Sequence, residues 1–417
     1  LAALDGRRVA PGPAGAPTRG RRDVLPTGRN LTTSDPRAIP TRIAAIVGTR
    51  AAEEVVRRHL QDHGEYPRSV MIDLWASASL RTGGDDIAQA LAYLGVRPKW
   101  DNSSNRVVGI EIIPMAKLDR PRIDVTLRIS GSFRDIFPVQ ISLLNLAIQR
   151  VADQDEPDDV NPLAAARRQG KDLSRIFGSA PGAYGAGAAE VVLDTNCLDR
   201  SAIANAYLAS SAHAYNGGEE PPLMAAAQFA ERIAAVDALI HPQDDRERDL
   251  LDGDSIADFV GGFAAAAAEA ERSPSLYHLD TSKPEKPVVR TIAGEIARIV
   301  HGRMTNPRWI AGMLAHGYRG VSEIAQAVDA LYAFASSAHL VSGHLLDKVH
   351  EAYIADDRTL ALLMNANPAA TYAIATRLQD AIARQLWTPR RNAVHAELAR
   401  VIREASSKTP RNVRVSQ

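Results

Sequence analysis

The sequence predicts an α/β fold: a small mixed or parallel sheet layer with flanking helices, followed by a mostly helical C-terminal half. Three observations carry this. In "RPRIDVTLRISGSFRDIFP" the residues alternate, with Ile123, Val125, Leu127 and Ile129 on one side and Arg122, Asp124, Thr126, Arg128 and Ser130 on the other, which is the period of a strand. Strand-like and helix-like segments then alternate from about 43 to 155, the pattern of an α/β layer. Beyond "DQDEPDDVNP" the character changes to alanine-rich helical patterns.

In chain order, residues 43–64 read as a helix ending at Gly64, with Ala44, Val47, Ala51 and Val55 on one face and His59 where the next apolar residue would fall. "SVMIDLWAS" reads as a buried strand. Gly84 or Asp85 caps "DDIAQALAYLG", where Ile87, Ala90, Leu91 and Leu94 form one stripe and Gly95 ends the helix. "RVVGIEIIP" and "RIDVTLRIS" are further strands, and "FPVQISLLNLAIQRVAD" is an amphipathic helix. Helices are expected over roughly 199–212, 223–241, 254–272, 291–301, 307–315, 319–338, 343–355, 368–386 and 389–405. Glycine-rich "FGSAPGAYGAG" and proline-punctuated "YHLDTSKPEKP" are expected as loops.

We divide the chain into a Pro/Gly/Arg-rich ordered loop (1–42), an α/β domain (43–160), a helical region with glycine-rich and acidic loops (161–290) and a helical C-terminal region (291–417). Residues 1–42 hold eight arginines against three acids and lack the apolar core of a secretory signal; with Leu1 in place of methionine, they are expected to continue from a missing upstream region.

Composition narrows the function classes. Lys+Arg and Asp+Glu both number 49, so no whole-chain charge favours nucleic acid or an anionic membrane. The single cysteine, Cys197, excludes an internal disulfide and a Cys-rich metal site and fits a reducing cytoplasm. No run approaches the length of a membrane span.

Arginines on a strand face are costly to bury unless anions meet them. Arg81 stands before a glycine pair and a helix start, where backbone N–H groups favour an anion. With Arg122, Arg128 and Arg134, and with Arg29 in the ordered "LPTGRNLTTSDPRAIPT", it could form a surface for several carboxylates. Internal ion pairs with Asp73, Asp85, Asp124 and Asp135 are the alternative. The glycine-rich loop lacks the lysine and hydroxyl of a P-loop and reads as structural. "HPQDDRERDLLDGDS" gathers His241, Asp244, Asp245, Glu247, Asp249, Asp252 and Asp254, either oxygen and nitrogen ligands for a metal or a solvated helix end pairing with Arg246 and Arg248. In "NPRWIAGMLAHGYRG" His316 adjoins Gly317, a cap or a catalytic position, with Glu323 on the next helix.

Taken together and in order, "LPTGRNLTTSDPRAIPT", "DLWASASLRTGGDDIAQALAYLGVRPKWD", "RPRIDVTLRISGSFRDIFP", "FGSAPGAYGAG", "DDRERDLLDGDS" and "NPRWIAGMLAHGYRG" resemble the CobN/magnesium chelatase family, across nearly the whole chain. The resemblance is to the C-terminal portion of the large tetrapyrrole-binding subunit, and it is nearer the cobalt branch. It implies a ligase forming nitrogen–metal bonds that inserts cobalt into hydrogenobyrinic acid a,c-diamide during cobalamin synthesis and is inactive as an isolated portion. Cobalt is then a substrate. ATP and magnesium are handled by separate AAA+ ATPase subunits rather than by a P-loop in this chain. Magnesium insertion into protoporphyrin IX and a non-catalytic tetrapyrrole-binding or assembly module are the alternatives. The mechanism the resemblance implies has Arg81, Arg122 and Arg128 grip the acidic side chains of the macrocycle, with Arg134 and Arg29 as further substrate-binding candidates from the local reading. That mechanism needs a base for the two pyrrolic protons, for which His316 or Glu323 is the local candidate, and transient metal ligands, for which His241, Asp245 and Asp249 of the acidic run are the candidates. Two positions depart from the family pattern: Val260 replaces a polar residue before a glycine pair, and Gly294 stands where an acid is common.

Overall fold

The structure is a computed structural model and describes residues 2–12, 22, 25, 26, 28, 35–193, 199–217, 221–253 and 255–408. Two compact units divide the chain. The first takes Leu1–Gly185, Ser210–Asp245 and Tyr277–Val289, and the second takes Ala186–Ala209, Arg246–Leu276 and Arg290–Gln417.

The first unit is built on ten strands: β1 (Ser69–Leu74), β2 (Val96–Trp100), β3 (Val107–Ile112), β4 (Asp124–Ile129), β5 (Ile176–Gly178), β6 (His213–Ala214), β7 (Leu223–Met224), β8 (Ala238–Gln243), β9 (Ser275–Asp280) and β10 (Val288–Thr291). Eight of them form one sheet in the order β10-β9-β8-β1-β4-β5-β6-β7, and β2 and β3 form a separate antiparallel hairpin. The pairs β8/β1, β1/β4 and β4/β5 are parallel, and β6 and β7 add an antiparallel edge.

Every residue of β1 and β4 is buried, as expected of parallel strands covered on both faces. Val70, Ile72, Leu74, Val125, Leu127 and Ile129 share a core with Val55, Ile87, Leu91, Leu144 and Ile148 from the helices Arg42–His63, Asp85–Tyr93 and Pro138–Ala152. The first of these helices begins where Thr41 Oγ1 accepts the Ala44 N–H and ends at Gly64 in the left-handed region (φ 79°). His59 lies on its buried face, edge-on to the Tyr277 ring at 6.3 Å.

The sheet is larger than the sequence suggests, because strands from residues 176–291 join it. The stretch 223–241, expected as one helix, instead holds β7, the helix Ala226–Ala235 and the start of β8. Chain extension begins at Val236, and the Asp237 carboxylate accepts the Arg68 and Ser69 N–H groups at 2.7 and 3.1 Å, fixing β8 alongside β1. Likewise the stretch "YHLDTSKPEKP", expected wholly as a loop, gives its first four residues, Tyr277–Asp280, to β9, and β10 follows it.

The second unit is helical: Arg200–Ser211, Ser255–Glu269, Ile292–Ile299, Pro307–Ala315, Gly317–Ala338, Gly343–His350, Asp357–Ala366, Pro368–Ala383 and Val394–Lys408, with Val300–Met304 and Glu351–Ala355 as π-helical continuations. Thr291, Asn306, Asp356 and Asn367 cap four of these helices through their side chains. Val260 is fully buried in this unit. At Gly294 the amide binds the Thr291 cap, and the acid follows one place later as buried Glu295, paired with Arg298 and Arg290. Among the described residues, no helix is long and apolar enough to cross a membrane.

Candidate functional site

In parallel sheets ligands gather beyond the carboxyl ends of the strands, and the ends of β8, β1 and β4 carry the polar groups of interest. Asp73, one residue from the end of β1, is 1% exposed. Arg128 faces it in register on β4 and is 0% exposed. On the other side His241, 4% exposed, brings Nδ1 to 3.6 Å from Asp73 Oδ2. His278 on β9 continues the row, its ring 6.4 Å from that of His241 and its Nε2 2.9 Å from Gln243 Oε1.

After β1 the chain turns into the helix Ala76–Thr82, whose last turn carries Arg81. Its guanidinium grips Asp244 with two hydrogen bonds of 2.8 and 2.7 Å and reaches Asp245 at 3.2 Å. The expected open anion position beside it is already capped, since Thr82 Oγ1 accepts the Gly84 and Asp85 N–H groups. Asp86 follows, buried, and accepts from Ser79 Oγ at 2.6 Å. Burial pushes its carboxyl up to about 6 against these hydrogen bonds.

The end of β4 explains the arginines and glycine of "RISGSFRD". Arg128 donates to the Ile129 and Gly185 carbonyls, and Arg134 donates to those of Ser179, Ala180 and Ala183 at 3.3, 2.6 and 3.0 Å. A Cβ on Gly131 would lie 2.5 Å from the Tyr184 ring and 2.8 Å from the Ala183 oxygen, so only glycine lets the loop lie there. The glycine-rich loop is thus structural, its carbonyls turned onto guanidiniums. It presents Tyr184, 65% exposed, with its hydroxyl donating to Asp135 at 2.8 Å and Arg134 5.4 Å from its ring centre.

Of the four described arginines assigned to substrate, Arg81 has the most exposed side chain, at 40%, although its guanidinium already holds Asp244. Arg122 binds Glu156 through two N–H groups and the Leu94, Gly95 and Ile113 carbonyls through the rest, which uses all five of its donors inside the protein. Arg128 and Arg134 hold the loop, and Arg29 lies outside the described residues.

The acidic run does not act as one cluster. Asp244 and Asp245 meet Arg81. Asp249 and Asp252, in the second unit, meet Arg303 instead, with Asp249 Oδ1 at 2.7 Å. Asp254 lies outside the described residues. His241, Asp245 and Asp249 therefore do not converge as a ligand set; among the described residues no three His, Cys, Asp or Glu side chains are grouped to hold a metal ion. Burial pushes the Asp249 carboxyl up to about 6, with Arg303 opposing and Asp252 adding to the rise. Asp249 shares a pocket of about 320 Å³ with Glu323, Trp309 and Met313. Glu323 pairs with Arg319 at 2.5 Å, and His316 is exposed at the joint between two helices.

This fold and these motifs have close relatives. The pattern of the CobN/Magnesium Chelatase family matches residues 1–394.

The chain belongs to the CobN/magnesium chelatase family.

Within it, the chain is 47% identical to an aerobic cobaltochelatase subunit CobN from a Sinorhizobium species, over 96% of this chain and 32% of that protein. It is 32% identical to the H subunit of a magnesium chelatase from Cereibacter sphaeroides, over 93% of this chain and 33% of that one. The solved catalytic subunit of cobaltochelatase from Mycobacterium tuberculosis superposes with a TM-score of 0.91 at 36% identity, over 97% of this chain and 35% of that chain. The chain thus spans about a third of the length of these relatives.

Sequence reasoning named Asp73 only as an ion-pair partner and passed over Asp86 and Tyr184. Tyr184 carried a signal, an aromatic set between glycines in a loop. Asp86 carried none, because its burial depends on how the helix Asp85–Tyr93 packs.

Proposed function

We propose that this chain forms part of the tetrapyrrole-binding subunit of a cobaltochelatase that inserts cobalt into hydrogenobyrinic acid a,c-diamide. The observation that carries this reading is the 47% identity to a CobN protein against 32% for a magnesium-chelatase counterpart. ATP would be hydrolysed by separate AAA+ partner subunits, since this chain has no P-loop motif. One cysteine in 417 residues supports a cytoplasmic setting.

In this reading Tyr184 offers its exposed ring as a platform for a flat macrocycle, and Arg81 exchanges Asp244 for an acidic side chain of the substrate. The pyrrolic protons need acceptors tuned near neutrality. In the second unit His316 and Glu323 are the candidates, with Glu323 lining the same pocket as Asp249 and Trp309.

An absorbance titration of the chain with hydrogenobyrinic acid a,c-diamide, run beside protoporphyrin IX, tests this. Saturable binding of the first, weakened roughly tenfold by Tyr184→Ala, is expected. Preference for the porphyrin would favour magnesium chemistry. Binding without insertion, once partner ATPases, cobalt and the remainder of the large subunit are supplied, would leave only a tetrapyrrole-binding module.

A further inference from the structure

Asp73 is a buried carboxylate that no hydrogen bond holds. Neither Oδ1 nor Oδ2 has a hydrogen-bond partner, although the residue is 1% exposed. Buried carboxylates are ordinarily hydrogen-bonded or paired, because water no longer solvates the charge. Its neighbour His241 repeats the anomaly: Nδ1 is buried without a hydrogen bond. The two orphaned atoms face each other across adjacent parallel strands, Oδ2 to Nδ1 at 3.6 Å.

That distance is too long for a hydrogen bond. It is close to the separation of two donors on one ion: ligands about 2.1 Å from a tetrahedral metal stand roughly 3.4 Å apart. One carboxylate oxygen with one imidazole nitrogen is a donor set for borderline first-row ions rather than for magnesium or calcium. The polar groups around the pair make hydrogen bonds of their own, and Arg128, in register with Asp73, keeps its positive charge beside it. Arg81 is bound to Asp244, His278 to Gln243, and Arg128 to the Ile129 and Gly185 carbonyls.

We propose that Asp73 and His241 form a two-donor site for a divalent transition ion of the cobalt and zinc class. Two protein ligands leave the remaining coordination positions to other donors, which reach this buried pair only when the ends of β1 and β8 open. The site itself stands on geometry. Its role as a waiting position for the metal substrate rests on the chelatase reading above.

The test uses the full chain stripped of metal and titrated with cobalt(II) chloride, read by its visible d–d absorption. A saturable band at one cobalt per chain is expected, displaced by zinc and unaffected by excess magnesium. Asp73→Asn and His241→Ala should each weaken binding by more than the roughly 10–100-fold that loss of an outer-shell partner costs. Asp73→Glu, which keeps the carboxylate, should retain a cobalt band, and circular dichroism verifies that each variant is folded. No saturable band in the folded wild-type chain overturns the site, as does a band that both Asp73→Asn and His241→Ala leave unchanged. Tetrapyrrole binding measured on the same samples separates the two readings. Cobalt without macrocycle binding keeps the metal site and removes the chelatase reading, and macrocycle without cobalt binding does the reverse.

Discussion

Arg134 holds Tyr184 in place from beneath: the guanidinium carbon lies 5.4 Å from the ring centre, and the Tyr184 hydroxyl binds Asp135, the ion-pair partner of Arg134. The same guanidinium donates to three loop carbonyls, so one side chain shapes the loop and seats its aromatic residue. Arg134→Ala should destabilise the chain by about 1–3 kcal/mol, because the carbonyls lose charged donors. Its amides at residues 179–185 should exchange hydrogen faster. Arg134→Lys should recover little of this, since an ammonium cannot span three carbonyls and a ring face as a planar fork does. Hydrogen-exchange mass spectrometry on the three proteins checks both statements.

Asp124 lies buried between two guanidiniums, 2.9 Å from Arg175 and 2.9 Å from Arg232. Burial alone would push its carboxyl up; Arg232 and Arg175 override that and hold it below the usual range. Asp124→Asn removes the shared counter-charge and leaves two buried cations facing each other. The expected cost is about 3–5 kcal/mol, read as a lower urea midpoint with an unchanged slope.

These two clusters show what the sequence made legible. Alternation in 123–130 marked β4, and the run of arginines announced that anions had to meet them, where the structure gives Arg128 and Arg134 mainly backbone carbonyls. What answers each arginine depended on residues far along the chain: Arg175 and Arg232 at Asp124, loop carbonyls at Arg134, and Asp244 at Arg81. Such partners are set by sheet order, which local periodicity does not encode. The same blindness hid β8, whose "ALIHPQ" follows an alanine-rich helix without a glycine to mark the change. It also hid the Asp73–His241 pair, made only when β8 aligns with β1.

Gly48 marks where the helix Arg42–His63 crosses the helix Asp85–Tyr93. A Cβ there would lie 2.5 Å from the Asp85 carbonyl oxygen, 2.6 Å from the Gln89 nitrogen and 2.7 Å from the Ala88 Cβ. Backbone cannot swing aside as a flexible side chain can. Gly48→Ala should therefore destabilise by about 1–3 kcal/mol, overpacking outweighing the better helix propensity of alanine. Thermal unfolding followed by circular dichroism reads the loss; an unchanged or higher midpoint would show that the helices separate at little cost.

Asp86 gives the fold a pH dependence whose sign can be stated. Its carboxyl, ordinarily at 3.8, is pushed up to about 6 by burial. The folded chain therefore holds this proton more tightly than the unfolded chain does. The resulting stabilisation is complete below about pH 4, falls as pH rises towards 6 and is gone above it. Across that window the shift is worth about 3 kcal/mol. Asp86→Asn keeps an oxygen to accept from Ser79 and removes the buried charge. At pH 7 it should be more stable than the parent by about 1–3 kcal/mol, with a shallower fall between pH 4 and 6. Asp249, pushed to a similar value, should leave a residual slope in that variant. Denaturant titrations of parent and Asp86→Asn from pH 4.5 to 7.5 measure this. If the two curves run parallel throughout, Asp86 is ionised at little cost in the folded chain, and a donor beyond Ser79 and its own helix amides must be holding its charge.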